Sequence, residues 1–177
     1  SSSSDANKRK YTFSFWVKRG NTKVVSGGQQ WFWNNYGPGS FSGSTDWLGM
    51  RFTNDSELEI VTWDGNNGFI KTNAKFRDSF SWYHIVARID TTQSTNTDRI
   101  RLYVNGEQIT SVAGGATYPS QNHDYNCLGS SGAYQLIGAR ATGTTASPTY
   151  GEGFDGYIAQ AIYCQGQSLA PTSFGST

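Results

Sequence analysis

Tyr11-Thr-Phe-Ser-Phe-Trp-Val-Lys18 alternates Phe13, Phe15 and Val17 with Thr12, Ser14, Trp16 and Lys18. Side chains two apart share one face of a strand, so this period predicts a half-buried β-strand with its apolar face on a core. Near the other end, Phe154-Asp-Gly-Tyr-Ile-Ala-Gln-Ala-Ile-Tyr163 has the same character. Together the two stretches suggest a closed β-sandwich.

Working inward, strand-like runs fall at 30–33, 47–52, 57–62, 68–72, 82–90, 100–104, 107–109 and 134–138, each bounded by Gly, Asn, Asp, Ser or Pro. With the two end strands they make ten, and no helical period interrupts them. Val104-Asn105-Gly106-Glu107 is the sharpest local signal, because Asn-Gly between two apolar strands favours a two-residue type I′ turn with positive φ at both residues. Three longer segments, 34–46, 110–133 and 139–153, read as irregular loops, the places where binding concentrates. After them, Gly166-Gln-Ser-Leu-Ala-Pro-Thr-Ser-Phe174 predicts one short helical turn around Pro171, with Leu169 and Phe174 docked on the sandwich.

The 177 residues suffice for one sizeable core, and no composition shift marks a second domain. Residues 1–9 read as a linker or boundary segment and 10–177 as one domain. Aromatic content of 15%, 21 glycines and only 15% charged residues favour an all-β chain over a disordered or helical one. A formal net charge of +1 gives no field to attract nucleic acid or an anionic membrane, and the Lys8-Arg9-Lys10 run reads as a solvated strand entry. No apolar stretch approaches the roughly 20 residues of a membrane-spanning helix. Cys127 and Cys164 match neither a zinc nor a redox spacing, and their pairing is left open.

The order of Phe13-Ser-Phe-Trp-Val-Lys18, Trp82-Tyr-His-Ile-Val86, Ile100-Arg-Leu-Tyr-Val-Asn-Gly106 and Phe154-Asp-Gly-Tyr-Ile-Ala159 resembles the laminin G-like, concanavalin A-like lectin/glucanase group. The resemblance covers nearly the whole chain and implies an antiparallel two-sheet jelly-roll β-sandwich. The tail from Gly166 to Gly175 is similar to that of domains from bacteriophage structural proteins. It implies a virion or extracellular setting, such as a tail fibre, and a homotrimeric parent protein.

In the glucanase branch, the resemblance would require an acid/base carboxylate and a nucleophile on one strand face. The nearest match is Glu57-Leu-Glu59, whose third carboxylate is missing because the next same-face position is Val61. The pair reads more simply as the solvent side of a strand whose other side is Leu58 and Ile60. His84 is expected to pack and to make a buried hydrogen bond, and His123 to sit in a solvated loop. No serine-nucleophile or Walker motif occurs. Laminin G-like and lectin sandwiches often hold Ca²⁺ at a rim. The oxygen-rich Asp64-Gly-Asn-Asn67 turn supplies the candidate ligands Asp64 and Asn66, and no other cofactor is expected.

The functional constellation is aromatic: Trp31, Trp33, Asn35, Tyr36, Trp47 and Trp63. Pyranose C–H faces stack on aromatic rings, and neighbouring amides bind hydroxyls. Regular alternation puts Trp31 and Trp33 on one face and Phe32 on the other. Either the two indoles form an exposed platform or they are core; the platform is the reading adopted. Trp16 and Trp82 are read as sandwich packing. The sequence thus points to a non-catalytic module of a phage virion appendage that recognises host-surface carbohydrate. The alternatives are a structural virion domain that binds another virion protein, and a glycoside hydrolase.

Overall fold

The computed structural model describes residues 8–22, 28–37, 47–63, 68–128, 132–144 and 147–175. Among them, two five-stranded antiparallel sheets face each other as a jelly-roll sandwich. The back sheet has the order β12-β1-β6-β7-β8, from β1 (Lys10–Arg19), β6 (Tyr83–Asp90), β7 (Ile100–Val104), β8 (Glu107–Gln108) and β12 (Gly156–Gln165). The front sheet has the order β5-β4-β3-β2-β9, from β2 (Gln29–Tyr36), β3 (Trp47–Thr53), β4 (Glu57–Trp63), β5 (Phe69–Lys75) and β9 (Tyr134–Ile137). A separate hairpin pairs β10 (Arg140–Thr144) with β11 (Ser147–Gly151).

All ten expected strands are present. The first and last pair with each other, β1 against β12, so the two ends of the sequence close the back sheet as read. Segment 139–153 was expected to be irregular, but Arg140–Thr144 and Ser147–Gly151 within it pair in regular register as a hairpin. Residues 34–36 likewise continue β2 rather than opening a loop. At Asn105 and Gly106 φ is 52° and 82°, positive at both turn positions as predicted.

The core is made by the alternation that the sequence announced. Phe13, Phe15 and Val17 of β1 meet Leu48, Met50 and Phe52 of β3, Leu58 and Ile60 of β4, and Ile85, Ala87 and Ile89 of β6 in one buried cluster. Arg19 is enclosed beside this core. Its guanidinium donates to Gln30 Oε1 (3.0 Å) and the Phe76 carbonyl (2.6 Å) and lies over the Phe52 ring at 4.6 Å. Burial lowers its pKa, and the hydrogen bonds replace the water it has lost.

The C-terminal segment crosses the outer face of the back sheet. Thr12 Oγ1 donates to the Gln167 carbonyl and accepts from Leu169 N, both at 2.8 Å, and Arg88 Nη2 donates to the Ser168 carbonyl at 3.1 Å. The expected turn is a 3₁₀ turn at Pro171–Phe174. Lys8 and Arg9 are tied to the fold as well: Arg9 pairs with Asp124 at 2.8 Å, and the Lys8 carbonyl accepts from Tyr125 N. Cys127 is buried, Cys164 is half-buried, and they are not bridged. No helix among the described residues is long and apolar enough to cross a membrane.

Candidate functional site on the outer face of the front sheet

The pairing of β2 with β3 decides where its aromatics go. Trp31 lies opposite Arg51 but Trp33 opposite Met50, so two steps along β2 match one along β3. The extra residue is a β-bulge on β2, which breaks the alternation there. Phe32 and Trp33 both enter the core. Phe32 meets Phe15 at 5.8 Å, and Trp33 packs on Phe13 at 4.3 Å with 1% of its surface exposed. Trp31 alone turns to the outer face.

The expected Trp31–Trp33 platform is therefore corrected on both counts. Trp33 is core, and Trp31, although outward, is 0% exposed. Its ring lies under the guanidinium groups of Arg51 (4.6 Å) and Arg140 (5.7 Å), and it meets Trp47 edge-on at 5.6 Å. Its Nε1 donates to Glu152 Oε2 at 3.1 Å, and that carboxylate also pairs with Arg140 at 2.8 Å. The ring packs so closely on β3 that a Cβ at Gly49 would collide with it. Trp31 is thus the foundation of this face rather than its surface.

Asn35 is also buried, and its Oδ1 has no partner among the described residues. Tyr36 is buried with its hydroxyl donating to the Ala141 carbonyl at 2.7 Å, and burial pushes its phenol pKa up. Ala141 packs on Tyr36, with Trp47 and Leu136 at the edge of this small second core, so the hairpin is fastened over β2 of the front sheet. Neither Asn35 nor Tyr36 is open to a ligand, contrary to expectation.

Trp47 and Trp63 are different. Register aligns Tyr134, Tyr36, Trp47 and Trp63 directly across β9, β2, β3 and β4. At a strand spacing of about 4.8 Å, this aromatic row spans roughly 14 Å. Tyr36 lies under the hairpin, while Trp63 is 44% exposed, Tyr134 is 42% exposed and Trp47 is half-buried. Trp47 and Trp63 are cross-strand neighbours, whose side chains stand side by side on one face. Tyr134 was missed as a site residue because the alignment depends on pairing β9 with β2, which strand pattern does not reveal.

Beside the row, Arg140 and Glu152 join Thr142, Thr149, Tyr150 and Gly151 around a cleft of about 130 Å³. These residues were not singled out from the sequence, because their convergence depends on the pairing of β10 with β11. Glu152 takes a positive φ of 49°, an uncommon conformation for a residue of its type, where its carboxylate reaches both Trp31 and Arg140.

The Glu57–Glu59 pair is charge-matched. Glu59 is buried against Arg51 at 2.6 Å, while Glu57 meets Lys75 at 2.7 Å and Lys71 at 3.4 Å. The Lys75 hydrogen bond, aided by Thr53, lowers the Glu57 pKa. A glycosidase acid needs the opposite shift.

His84 is buried and stacks on Trp16 at 4.7 Å, and its Nε2 lies 2.9 Å from Ser14 Oγ, the packing role expected of it. Trp16 and Trp82 do not enter the core. Both lie on the outer side of the back sheet, where alternation had already placed Trp16 and where its assignment to packing overrode that reading. Asp64 and Asn66 fall outside the described residues. Among the described residues, no group of three or more His, Cys, Asp or Glu side chains forms a metal site.

Solved structures similar to this fold include the heptameric SAP-like pentraxin of Limulus polyphemus, at 13% identity and a TM-score of 0.58, covering 93% of this chain and 67% of that one. Another is the CBM40 of a Ruminococcus gnavus IT-sialidase bound to alpha2,3 sialyllactose, at 13% identity and a TM-score of 0.57, with coverages of 95% and 82%. A third is the binding domain of Botulinum Neurotoxin DC in complex with SialylT, at 11% identity and a TM-score of 0.51, with coverages of 96% and 35%. At these identities the likeness concerns the fold. A comparison with curated proteins found no match. The family model described as the concanavalin A-like lectin/glucanases superfamily matches residues 1–161, and the chain belongs to that superfamily.

Proposed function

We propose that this domain is a non-catalytic carbohydrate-binding module that holds glycan against Trp47 and Trp63. The observation that carries the reading is their cross-strand pairing on an outer sheet face, with Trp63 44% exposed and Trp47 supported from below by Trp31. Rings fixed in this way offer a sugar a large contact area at little entropic cost. Arg140, Glu152 and Tyr150 supply polar groups next to the stacking surface. Solved neighbours captured with sialylated sugars support the reading through fold likeness.

The neutralised Glu57 and Glu59 favour binding over hydrolysis. The proposed setting is a phage virion appendage or another extracellular structure facing a host-surface glycan. There, several copies, for instance in a trimer, would raise a weak single-site affinity. Ca²⁺ held by Asp64 and Asn66 is part of the same proposal. A second reading, docking to another virion protein, is favoured by Phe80, which is 86% exposed.

The test is a glycan array probed with the multivalently displayed domain, with Ca²⁺ and with chelator, beside a Trp47→Ala/Trp63→Ala variant. Selective binding that the variant loses supports the module. Loss of that binding with chelator supports the metal site. No selective binding in either condition overturns the carbohydrate reading in favour of protein docking.

A further inference from the structure

A second cleft lies on the opposite side of the molecule. Trp16, Trp82, Ala159 and Gln160 line an open, shallow cleft of about 360 Å³ on the outer face of the back sheet, within the roughly 300–1,000 Å³ typical of small-ligand pockets. Two features make it a built site. The first is a rigid indole. Trp16 stacks on His84 with an interplanar angle of 10°, and the imidazole is fixed in turn by Ser14 Oγ. The backbone of His84 is held as well, donating from N to Asn105 Oδ1 and accepting at O from Asn105 N, both at 2.8 Å.

The second feature is a bulge in the partner strand. Ser14 pairs with Ile162 but Trp16 with Ala159, so β12 carries one residue more than β1 across this step. The irregularity includes Gln160, whose φ is 47°. A left-handed glutamine is uncommon, and strained backbone of this kind collects at binding sites. Its effect is to present an amide, with both donors and an acceptor, beside two indoles.

Among the described residues the lining has no charged side chain, which disfavours an ionic ligand. Two indoles and one amide match a ring with apolar C–H faces and hydroxyl edges. We infer that the Trp16–Trp82–Gln160 cleft is a second carbohydrate site, selective for a neutral pyranose and independent of the front-sheet surface. A domain with sites on opposite sheets would bridge two glycan chains as well as hold one.

The test is ¹⁹F NMR of the full chain labelled with 5-fluorotryptophan, whose six indoles report both faces at once. Trp16→Phe and Trp82→Phe assign the back-sheet signals. The titrants are methyl glucoside, lactose, maltotetraose, cellotetraose, chitotetraose and sialyllactose. The expected result is saturable shifts of the Trp16 and Trp82 signals with a neutral sugar, weakened about fivefold or more by Gln160→Gly. That variant keeps the fold, since glycine adopts the same φ without strain. Signals from Trp47 and Trp63 test the front face separately, so either site can fail alone. The inference is overturned if no neutral sugar moves the Trp16 and Trp82 signals, or if Gln160→Gly binds like the parent. It is also overturned if those signals shift with protein concentration alone, which would mean that a second copy covers the cleft.

Discussion

β1 and β2 carry similar aromatic runs, Phe13-Ser-Phe-Trp16 and Trp31-Phe-Trp33, yet only β1 obeys its alternation. Both strands border a bulge. On β1 the extra residue belongs to the partner β12, near Gln160, so Phe13 and Phe15 stay inward and Trp16 stays outward. On β2 the extra residue is its own, and it sends Phe32 and Trp33 inward together. A period-2 reading is therefore safe when the irregularity falls on the neighbouring strand and fails when it falls on the strand being read. The bulge on β2 leaves Trp31, alone among residues 31–33, on the outer face, where it meets the ring of Trp47.

The sharpest test of this contrast replaces one tryptophan from each environment. Trp33→Ala should destabilise the domain by roughly 3–5 kcal/mol, the range for deleting a large core aromatic. Trp63→Ala should stay within about 0.5 kcal/mol, as for an exposed side chain. Thermal or urea unfolding measures both, and equal losses would break the distinction between core and surface indoles.

Next in size is Arg51→Leu, which strips the ion pair from buried Glu59 and the cation from the Trp31 ring. The expected loss is about 2 kcal/mol, from leaving a buried carboxylate short of hydrogen bonds. If stability is unchanged, the cover over Trp31 is not structural.

A smaller effect of opposite sign is expected on the back sheet. Gln160→Gly should stabilise the fold by about 0.5–1 kcal/mol, because the positive φ suits glycine. A destabilised variant would mean that the Gln160 side chain holds the bulge together.

The gentlest probe is pH. Burial lowers the His84 pKa below its ordinary 6.5, so the unfolded chain takes up the proton first. This contribution is full above about pH 6.5 and is lost as pH falls through the lower folded value. His84→Gln should remove that slope in denaturant titrations, and an unaltered slope would assign it to another group. On the alkaline side, burial raises the Tyr11 and Tyr163 pKa values above 10.0. Their contribution is present below about pH 10 and is lost as pH rises beyond it.

The strands and the Asn105–Gly106 turn were legible because each rests on local period or turn chemistry, whereas the closing role of the last strand, seen as β12 against β1, came from the family resemblance. The site was legible only in part. Trp47 and Trp63 were picked out as candidate binding aromatics, but their pairing, and the alignment of Tyr134 with them, depend on strand register across the sheet. Trp31, Trp33, Asn35 and Tyr36 were misplaced because a bulge and a covering hairpin are tertiary features with no local signature in Gln29–Tyr36. Arg140 and Glu152 were invisible for the same reason: they gain meaning only when the hairpin brings them to Trp31.

The central claim is that recognition sits on exposed Trp63 and half-buried Trp47, while Trp31 and Trp33 hold the fold. Isothermal titration of Trp63→Ala with the glycan selected on the array, alongside its melting temperature, tests this most directly. The account predicts an affinity loss of about tenfold or more, near 1.4 kcal/mol, with an unchanged melting temperature. Binding equal to that of the parent domain would contradict it.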